Sequence, residues 1–205
     1  MITLYLIRHG ETDANKHGIL QGQQNTLLNS NGLSQAKTLA GACQHLTINT
    51  IHSSDLARAS STAAQIAQPH QLTPKLTPLL REIGFGSLEG QHLKLMPAEK
   101  QYHLQRLYTQ QINLPYADAE PLAKLESRLS QFIKHLSAES SGNHAIIGHG
   151  YSLNYLLHHL LNWPKQNMQL LELANCSVTE VIFNRQQWQL VRLNQQVNSL
   201  SSILK

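Results

Sequence analysis

Two histidines in this sequence directly follow short apolar runs. Arg8-His9-Gly10 comes after Ile2–Ile7, and Gly148-His149-Gly150 comes after residues 144–147. Arginine presents a fork of donors that suits phosphate, and histidine can act as base, acid or nucleophile near neutral pH. Because glycine lets the chain turn sharply and lets a ligand approach the backbone, each triplet could hold an imidazole against a small anion.

Arg58 and Glu82 could complete such a site. Arg58 falls in the first turn of a predicted helix, where a cation is disfavoured by a few tenths to about 1 kcal/mol because the helix N-terminus is already positive. An anion shared with Arg8 would explain its position. Glu82 lies among Leu80, Ile83 and Phe85, and apolar surroundings would favour the protonated form that a general acid needs. Considered one at a time, these residues have simpler explanations. The polar residues after a strand could merely lead the chain into solvent, and Glu82 could be an ordinary surface glutamate.

The hydrophobic pattern predicts the elements that would bring these side chains together. Apolar runs at 2–7, 48–52 and 144–147 are typical of buried strands, and each precedes a helical pattern. The other helices are predicted at 34–46 and 122–136, and residues 178–183 and 188–193 form a predicted hairpin. This order predicts one three-layer α/β/α domain over residues 1–205, with a mostly parallel sheet and an antiparallel edge strand. Such sheets bind ligands at the carboxyl ends of their strands.

The predicted connections carry further candidates. Residues 11–22 are polar and interrupted by glycine, so we interpret them as a loop that offers Thr12, Asn15 and Gln21 to a ligand. Residues 80–90 contain three glycines and two carboxylates and are predicted to form a shaped loop. Ser53-Ser54-Asp55 are good N-cap residues for the helix that carries Arg58. Residues 91–120 are a candidate insertion or lid over the site.

Composition excludes several classes of protein. The net charge is +4, but the 16 Lys and Arg are scattered, so we expect no nucleic-acid partner. No apolar run reaches the roughly 18 residues that a membrane span needs, and no secretory signal is recognisable, so we expect a cytoplasmic protein without a membrane contact. Cys43 and Cys176 are too few and too distant in sequence for a disulfide framework or a zinc site. The 12 histidines include no metal-ligand pair beside a carboxylate.

These segments together resemble the histidine phosphatase superfamily, the phosphoglycerate-mutase-like group, over nearly the whole chain. The similar motifs are Leu-Ile-Arg-His-Gly-Glu-Thr at 6–12 with Asn15 and Gln21-Gly22, Ser-Asp-Leu-Ala-Arg-Ala at 54–59, Leu-Arg-Glu-Ile-Gly-Phe-Gly at 80–86, and Gly-His-Gly at 148–150. The resemblance implies phosphoryl transfer to His9, with Arg8, Arg58 and His149 around the phosphoryl oxygens. It implies Glu82 as acid and base, and Asn15, Gln21 and Gly22 as substrate-binding residues, with no metal and no cofactor.

Within this superfamily the sequence favours a phosphatase that acts on a small phosphorylated metabolite. Residues 80–90 resemble the phosphatase branch, and the chain is short between Gly90 and Leu122, where mutases are longer. A phosphoglycerate mutase stays open as an alternative. So does an α-ribazole phosphatase, to which Asn-Lys-His-Gly at 15–18 is similar, and so does a silent phospho-ligand binding module. The sequence departs from the family pattern at residues 25–28, at Tyr151 and at Asn154. These departures bear on which substrate the protein would bind. Both a monomer and a homodimer are compatible with the sequence.

Overall fold

The computed structural model describes residues 2–138, 141–163 and 170–197. Its strands are β1 (Ile2–Arg8), β2 (Thr50–Ser54), β3 (Lys75–Thr77), β4 (Gly142–Gly148), β5 (Val178–Asn184) and β6 (Gln187–Gln195). Its α-helices are α1 (Asp13–His17), α2 (Ser30–Cys43), α3 (Ala57–Ala67), α4 (Ala98–Gln110), α5 (Leu122–Ala138) and α6 (Gly150–Leu160).

The strands of the described chain form one sheet in the order β3-β2-β4-β1-β5-β6. The first four strands of that order are parallel, whereas β5 runs antiparallel to β1, and β6 antiparallel to β5. The register pairs Arg8 with Gly148, so β1 and β4 end side by side. The residues that follow them therefore leave the sheet at the same edge.

The alternation of side chains along β1 divides the core between the two faces of the sheet. Leu4 and Leu6 belong to one buried cluster, which the apolar stripes of α5 and α6 complete. Tyr5 and Ile7 belong to a second cluster, which α2 and α3 complete. Because successive strand side chains point to opposite faces, one short strand supplies both halves of the core. The predicted three-layer α/β/α fold with a mostly parallel sheet and an antiparallel edge is confirmed.

The predictions for the chain around α1 and for the start of α2 were wrong. The stretch 11–22 is not simply a loop, since it contains α1, whose N-cap Thr12 and third residue Asn15 form a capping box. Helix α2 begins at Ser30 and not near Ser34, because the Asn29 side chain accepts a hydrogen bond from the Gly32 N–H and so caps the helix earlier.

The sequence also led to expectations about the two cysteine thiols and about membrane-spanning segments. Cys43 and Cys176 are free and buried, and burial raises the pKa of each thiol to about 12. Among the described helices, none is long and apolar enough to cross a bilayer.

Candidate active site

The predicted site residues from β1, β4 and α3 meet at the carboxyl edge of the sheet. His9 directly follows β1, and His149 directly follows β4 as the N-cap of α6. Arg58 is the second residue of α3. The rings of His9 and His149 lie 5.1 Å apart between centroids. His9, Arg58 and His149 are each at most 3% exposed, so the strand register brings three polar side chains into a buried cluster.

The hydrogen bonds of His9 define its tautomer. Its Nδ1 lies 2.7 Å from the Gly10 carbonyl oxygen, which can only accept, so Nδ1 carries the proton. Burial lowers the pKa of His9 well below its usual value, and the charges of Arg58 and Arg8 lower it further. His9 is therefore neutral, with its lone pair on Nε2. The Asn175 amide nitrogen donates to the His9 carbonyl over 2.8 Å and helps to fix the backbone beneath the ring.

Arg58 lies between the two imidazoles. Its Nε donates to His9 Nε2 and to His149 Nδ1 over 3.2 Å each. Its Nη1 and Nη2 donate to the carbonyls of Gln24 and Gly22, each over 2.7 Å. Burial lowers the pKa of Arg58 to about 10, so the guanidinium is still protonated at neutral pH. These contacts fix its plane against the loop that follows α1.

Helix α3, which carries Arg58, does not begin as predicted. Ser53 and Ser54 complete β2, and the N-cap is Leu56, which makes no side-chain capping bond.

The Ser54 hydroxyl lies 2.9 Å from His149 Nε2. Because His149 Nδ1 accepts from Arg58, Nε2 carries the proton and donates to Ser54. Burial, followed by the charge of Arg58, lowers the pKa of His149 well below its usual value.

Arg8 and Arg58 are cations without a carboxylate partner among the described residues. Within the part of the chain that the structure describes, neither forms an ion pair. Arg8 donates through Nη1 to the Leu173 carbonyl, while its buried Nε has no hydrogen-bond partner. Because a buried donor without a partner is costly, and because buried charges are normally paired, the two arginines and the unused Nε indicate a binding site for an anion.

Glu82 lies at the N-terminus of α6. Its Oε2 accepts from the Tyr151 N–H over 3.0 Å, and its Oε1 accepts from the N–H groups of Ser152 and Ile83 over 2.9 and 3.0 Å. The flanking apolar side chains are buried, as expected. The apolar surroundings predicted for the carboxyl group itself are wrong, because that group is held by backbone N–H donors and faces the cavity.

Sequence reasoning missed Arg128, which supports the Glu82 loop from α5. Arg128 donates to the carbonyls of Leu79, Arg81 and Glu82 over 2.8, 2.6 and 3.0 Å. It also donates to both carboxylate oxygens of Glu120 over 2.8 and 2.9 Å. The only cue in the sequence is a charged residue directly before Leu129, on an otherwise apolar helix face.

The three predicted substrate-binding residues have different settings. Asn15 Oδ1 accepts from the Thr12 N–H, and Gln21 Oε1 accepts from the Thr12 hydroxyl. Neither amide nitrogen bonds to a described residue, so both remain available as donors beside the cavity that they line. Gly22 contributes its carbonyl to Arg58 and has φ +53. Its contact in this structure therefore positions Arg58.

The cavity over these groups has a volume of about 400 Å³. Residues 91–120 contribute Leu93 and Tyr108 to its wall. Tyr151 and Asn154, the departures from the family pattern, also line it. The Tyr151 hydroxyl donates to Gln111 Oε1 over 2.8 Å, and the Asn154 amide exchanges two hydrogen bonds with the Leu171 backbone. In the described ranges, no group of three His, Cys, Asp or Glu side chains is arranged to hold a metal ion.

Comparisons with known proteins agree with this geometry. Residues 4–196 match the family model of the histidine phosphatase superfamily (branch 1). "Probable phosphoglycerate mutase GpmB" of Escherichia fergusonii is 31% identical over 189 residues, which cover 92% of this chain and 88% of that protein. The α-ribazole phosphatase of Shigella flexneri superposes with a TM-score of 0.82 at 26% identity, over 94% of this chain and 96% of that one. A mycobacterial glucosyl-3-phosphoglycerate phosphatase superposes with a TM-score of 0.87 at 25% identity, over 95% and 99%.

Proposed function

The chain belongs to the histidine phosphatase superfamily and is a phosphoric monoester hydrolase of that type, and we propose that it hydrolyses a small phosphorylated metabolite without a metal, through a phosphohistidine on His9. The observation that carries the proposal is the state of His9. The ring is neutral, its Nδ1 proton is held by the Gly10 carbonyl, and its Nε2 lone pair lies beside a guanidinium that has no carboxylate partner in the part of the chain that is described.

In the first step, Nε2 of His9 attacks the phosphorus in line, and the bond from phosphorus to the ester oxygen breaks. Arg8, Arg58 and His149 surround the oxygens on which charge develops, a stabilisation that is usually the largest single contribution to catalysis. Protonated Glu82 gives its proton to the leaving oxygen. In the second step, Glu82 takes a proton from water, which attacks the phosphohistidine and releases inorganic phosphate from His9. Asn15 and Gln21 offer amide donors to the phosphoryl group.

The relatives include proteins named as mutases and as phosphatases, so the cavity must decide between them. A phosphoglycerate mutase has to hold a bisphosphate intermediate that also carries a carboxylate, and to keep water out. Among the described lining residues the cations are Arg8 and Arg58, both placed at the proposed phosphoryl site, and the remaining wall is largely apolar. This composition favours hydrolysis over mutase chemistry.

The α-ribazole phosphatase alternative rested on Asn-Lys-His-Gly at 15–18. In the structure these residues end α1, with Gly18 as its left-handed C-cap, and Lys16 and His17 are exposed outside the cavity. Only Asn15 of this motif lines the cavity, where it would serve the phosphoryl group of any substrate, so the motif adds no support for an α-ribazole substrate beyond the structural likeness to the Shigella flexneri enzyme.

The test is phosphate release from a panel of phosphomonoesters, with isomerisation of 3-phosphoglycerate followed in parallel. We expect release without isomerisation, and we expect it to survive a chelator. His9→Ala should abolish release and the acid-labile, alkali-stable phosphoenzyme, whereas His159→Ala, on the exposed side of α6, should leave both intact. Wild-type turnover by His9→Ala would refute the nucleophile, and isomerisation would make the protein a mutase.

Glu82→Gln tests the proposed acid. Turnover of an alkyl phosphate should fall by about 10²- to 10⁴-fold, the usual contribution of general acid–base catalysis. Cleavage of 4-nitrophenyl phosphate should suffer less, because its leaving group departs without a proton. Equal losses for the two esters would argue that Glu82 does not protonate the leaving oxygen.

A further inference from the structure

Beyond the phosphoryl site, the cavity presents aromatic and aliphatic surface to the rest of a substrate. Phe85, Tyr108 and Tyr151 line it together, with ring centroids 6.3 Å apart between Phe85 and Tyr108 and 5.9 Å apart between Tyr108 and Tyr151. Leu93 and Leu171 extend this surface. A leaving group with apolar faces would bury area here, at about 25 cal/mol for each Å² removed from water.

The segment 170–173 adds a negative charge to this wall. The Leu171 backbone is anchored to the Asn154 amide by hydrogen bonds of 2.8 and 2.9 Å, and the Leu173 carbonyl accepts from Arg8. Glu172 lies between these two anchors, is exposed at the rim, and lines the cavity. Its position is therefore fixed by contacts on both sides, although its carboxylate forms no ion pair in the part of the chain described.

The charges around the cavity differ in their burial. Arg8 ends β1 and Arg58 is buried in α3, both beside His9, whereas Glu172 is exposed where it lines the same cavity. Burial lowers the pKa of Arg8, and the carboxylates of Glu82 and then Glu172 oppose that lowering. Because Glu82 must be protonated to act as the acid, a leaving group with its own carboxylate or second phosphate would meet the negative charge of Glu172.

We propose that this site selects phosphomonoesters whose leaving group is uncharged or cationic and has an apolar or aromatic face, and that Glu172 is the residue that disfavours anionic leaving groups. The inference rests on the proposed function and names the substrate class of the same site. Glu82 is needed for the chemistry, so Glu172 is the carboxylate whose removal isolates the effect on specificity.

The experiment compares three aryl esters that differ in the charge at position 4 of the ring: phenyl phosphate, 4-carboxyphenyl phosphate and 4-(aminomethyl)phenyl phosphate. For each enzyme, kcat/KM is expressed relative to that for phenyl phosphate. Because the intrinsic reactivity of an ester is the same for every variant, it cancels when the ratios of two variants are compared. The variant is Glu172→Gln. The matched control is Glu99→Gln, which removes the same charge from a carboxylate that is 84% exposed on α4 and does not line the cavity.

The wild type should cleave the carboxylated ester least well. Glu172→Gln should raise the relative kcat/KM of that ester by about threefold to tenfold and lower that of the aminomethyl ester, as expected for a partly solvated charge within several ångströms. Glu99→Gln should leave both ratios unchanged. Added salt should reduce the wild-type discrimination.

Two outcomes would overturn the inference: a wild-type enzyme that cleaves the carboxylated ester as well as the neutral one, or a Glu172→Gln enzyme whose ratios match those of Glu99→Gln. Failure of the proposed function looks different. In that case none of the three esters would be cleaved in a His9-dependent manner, and both proposals would fall together.

Discussion

Replacing Arg128 by methionine should separate the stability of this fold from the placement of its proposed general acid. Arg128 and Glu120 have side chains only 12% and 5% exposed, so they form a nearly buried ion pair. Removing one partner of such a pair costs about 3–5 kcal/mol, because the other charge is left uncompensated. We therefore expect Arg128→Met to lower the free energy of unfolding by about 3–5 kcal/mol.

The double variant Arg128→Met/Glu120→Gln should recover part of that loss. The buried charge is gone, and a glutamine oxygen can still accept from the Gly84 N–H, which bonds to Glu120 over 3.1 Å in the native protein. The remaining cost comes from the carbonyls of Leu79, Arg81 and Glu82, which lose their donor. Since water can reach this partly exposed loop, we expect about 1–3 kcal/mol to remain.

Activity should not recover with stability. The Glu82 carbonyl is held by Arg128 in the native protein, so both variants release the loop that carries the carboxylate. Both should lose about 10- to 100-fold in kcat for an alkyl phosphate, since misplacing a catalytic group by about 1 Å can have that effect. The loss for 4-nitrophenyl phosphate should be smaller.

The measurements are urea unfolding of the wild type and the two variants, and kcat/KM for the two esters. The reasoning is refuted if Arg128→Met unfolds within about 1 kcal/mol of the wild type, well below the range for a broken buried pair. It is also refuted if the double variant regains activity against the alkyl ester along with its stability, because Arg128 would then act only through the fold.

Two further predictions follow from the site. Gly22→Ala should destabilise the protein by about 1–3 kcal/mol and lower kcat, because Gly22 has φ +53 and a Cβ would lie 2.0 Å from Glu89 Oε1. The control Gly41→Ala lies in open space on α2 and should be neutral or stabilising. Equal effects of the two changes on stability would contradict the argument. His9 and His149 have pKa values lowered by burial, so on acidification the unfolded chain takes up protons near the usual value of 6.5 while the folded chain does not. The free energy of unfolding should therefore fall below that pH by about 1.4 kcal/mol per pH unit for each histidine. Urea titrations should show a shallower fall for His149→Gln, and an unchanged slope would show that His149 is not buried in its neutral form.

Sequence reasoning was successful for groups that follow a strand end. His9 and His149 each follow an apolar run of the length and composition of a buried strand, and parallel pairing of β1 with β4 aligns the strand ends at Arg8 and Gly148. Once the fold class is correct, the convergence of these side chains follows from the architecture. Arg58 was predictable for a related reason, because a cation in the first turn of a helix needs an anion to compensate it.

The surroundings of Glu82 were not predictable in this way. Its partners Tyr151 and Ser152 lie 69 and 70 residues further along the chain, and no local pattern specifies a contact between a loop and the start of a distant helix. The contacts of Arg128 with the same loop are equally non-local. The sequence pattern correctly predicted that the apolar side chains beside Glu82 are buried, but it gave the wrong environment for the carboxylate.

The contacts of Arg58 show why these non-local details matter for the chemistry. In the proposed mechanism His9 attacks with its Nε2 lone pair, which in this structure accepts a hydrogen bond from Arg58 Nε. On this proposal, a bound phosphoryl group takes over the Nε–H of Arg58, which frees the His9 lone pair and places positive charge beside the phosphoryl oxygens. The carbonyls of Gly22 and Gln24 keep the other guanidinium nitrogens in place. In the proposed mechanism the loop after α1 therefore helps to make His9 available, because its carbonyls position Arg58, although the loop carries no group that reacts.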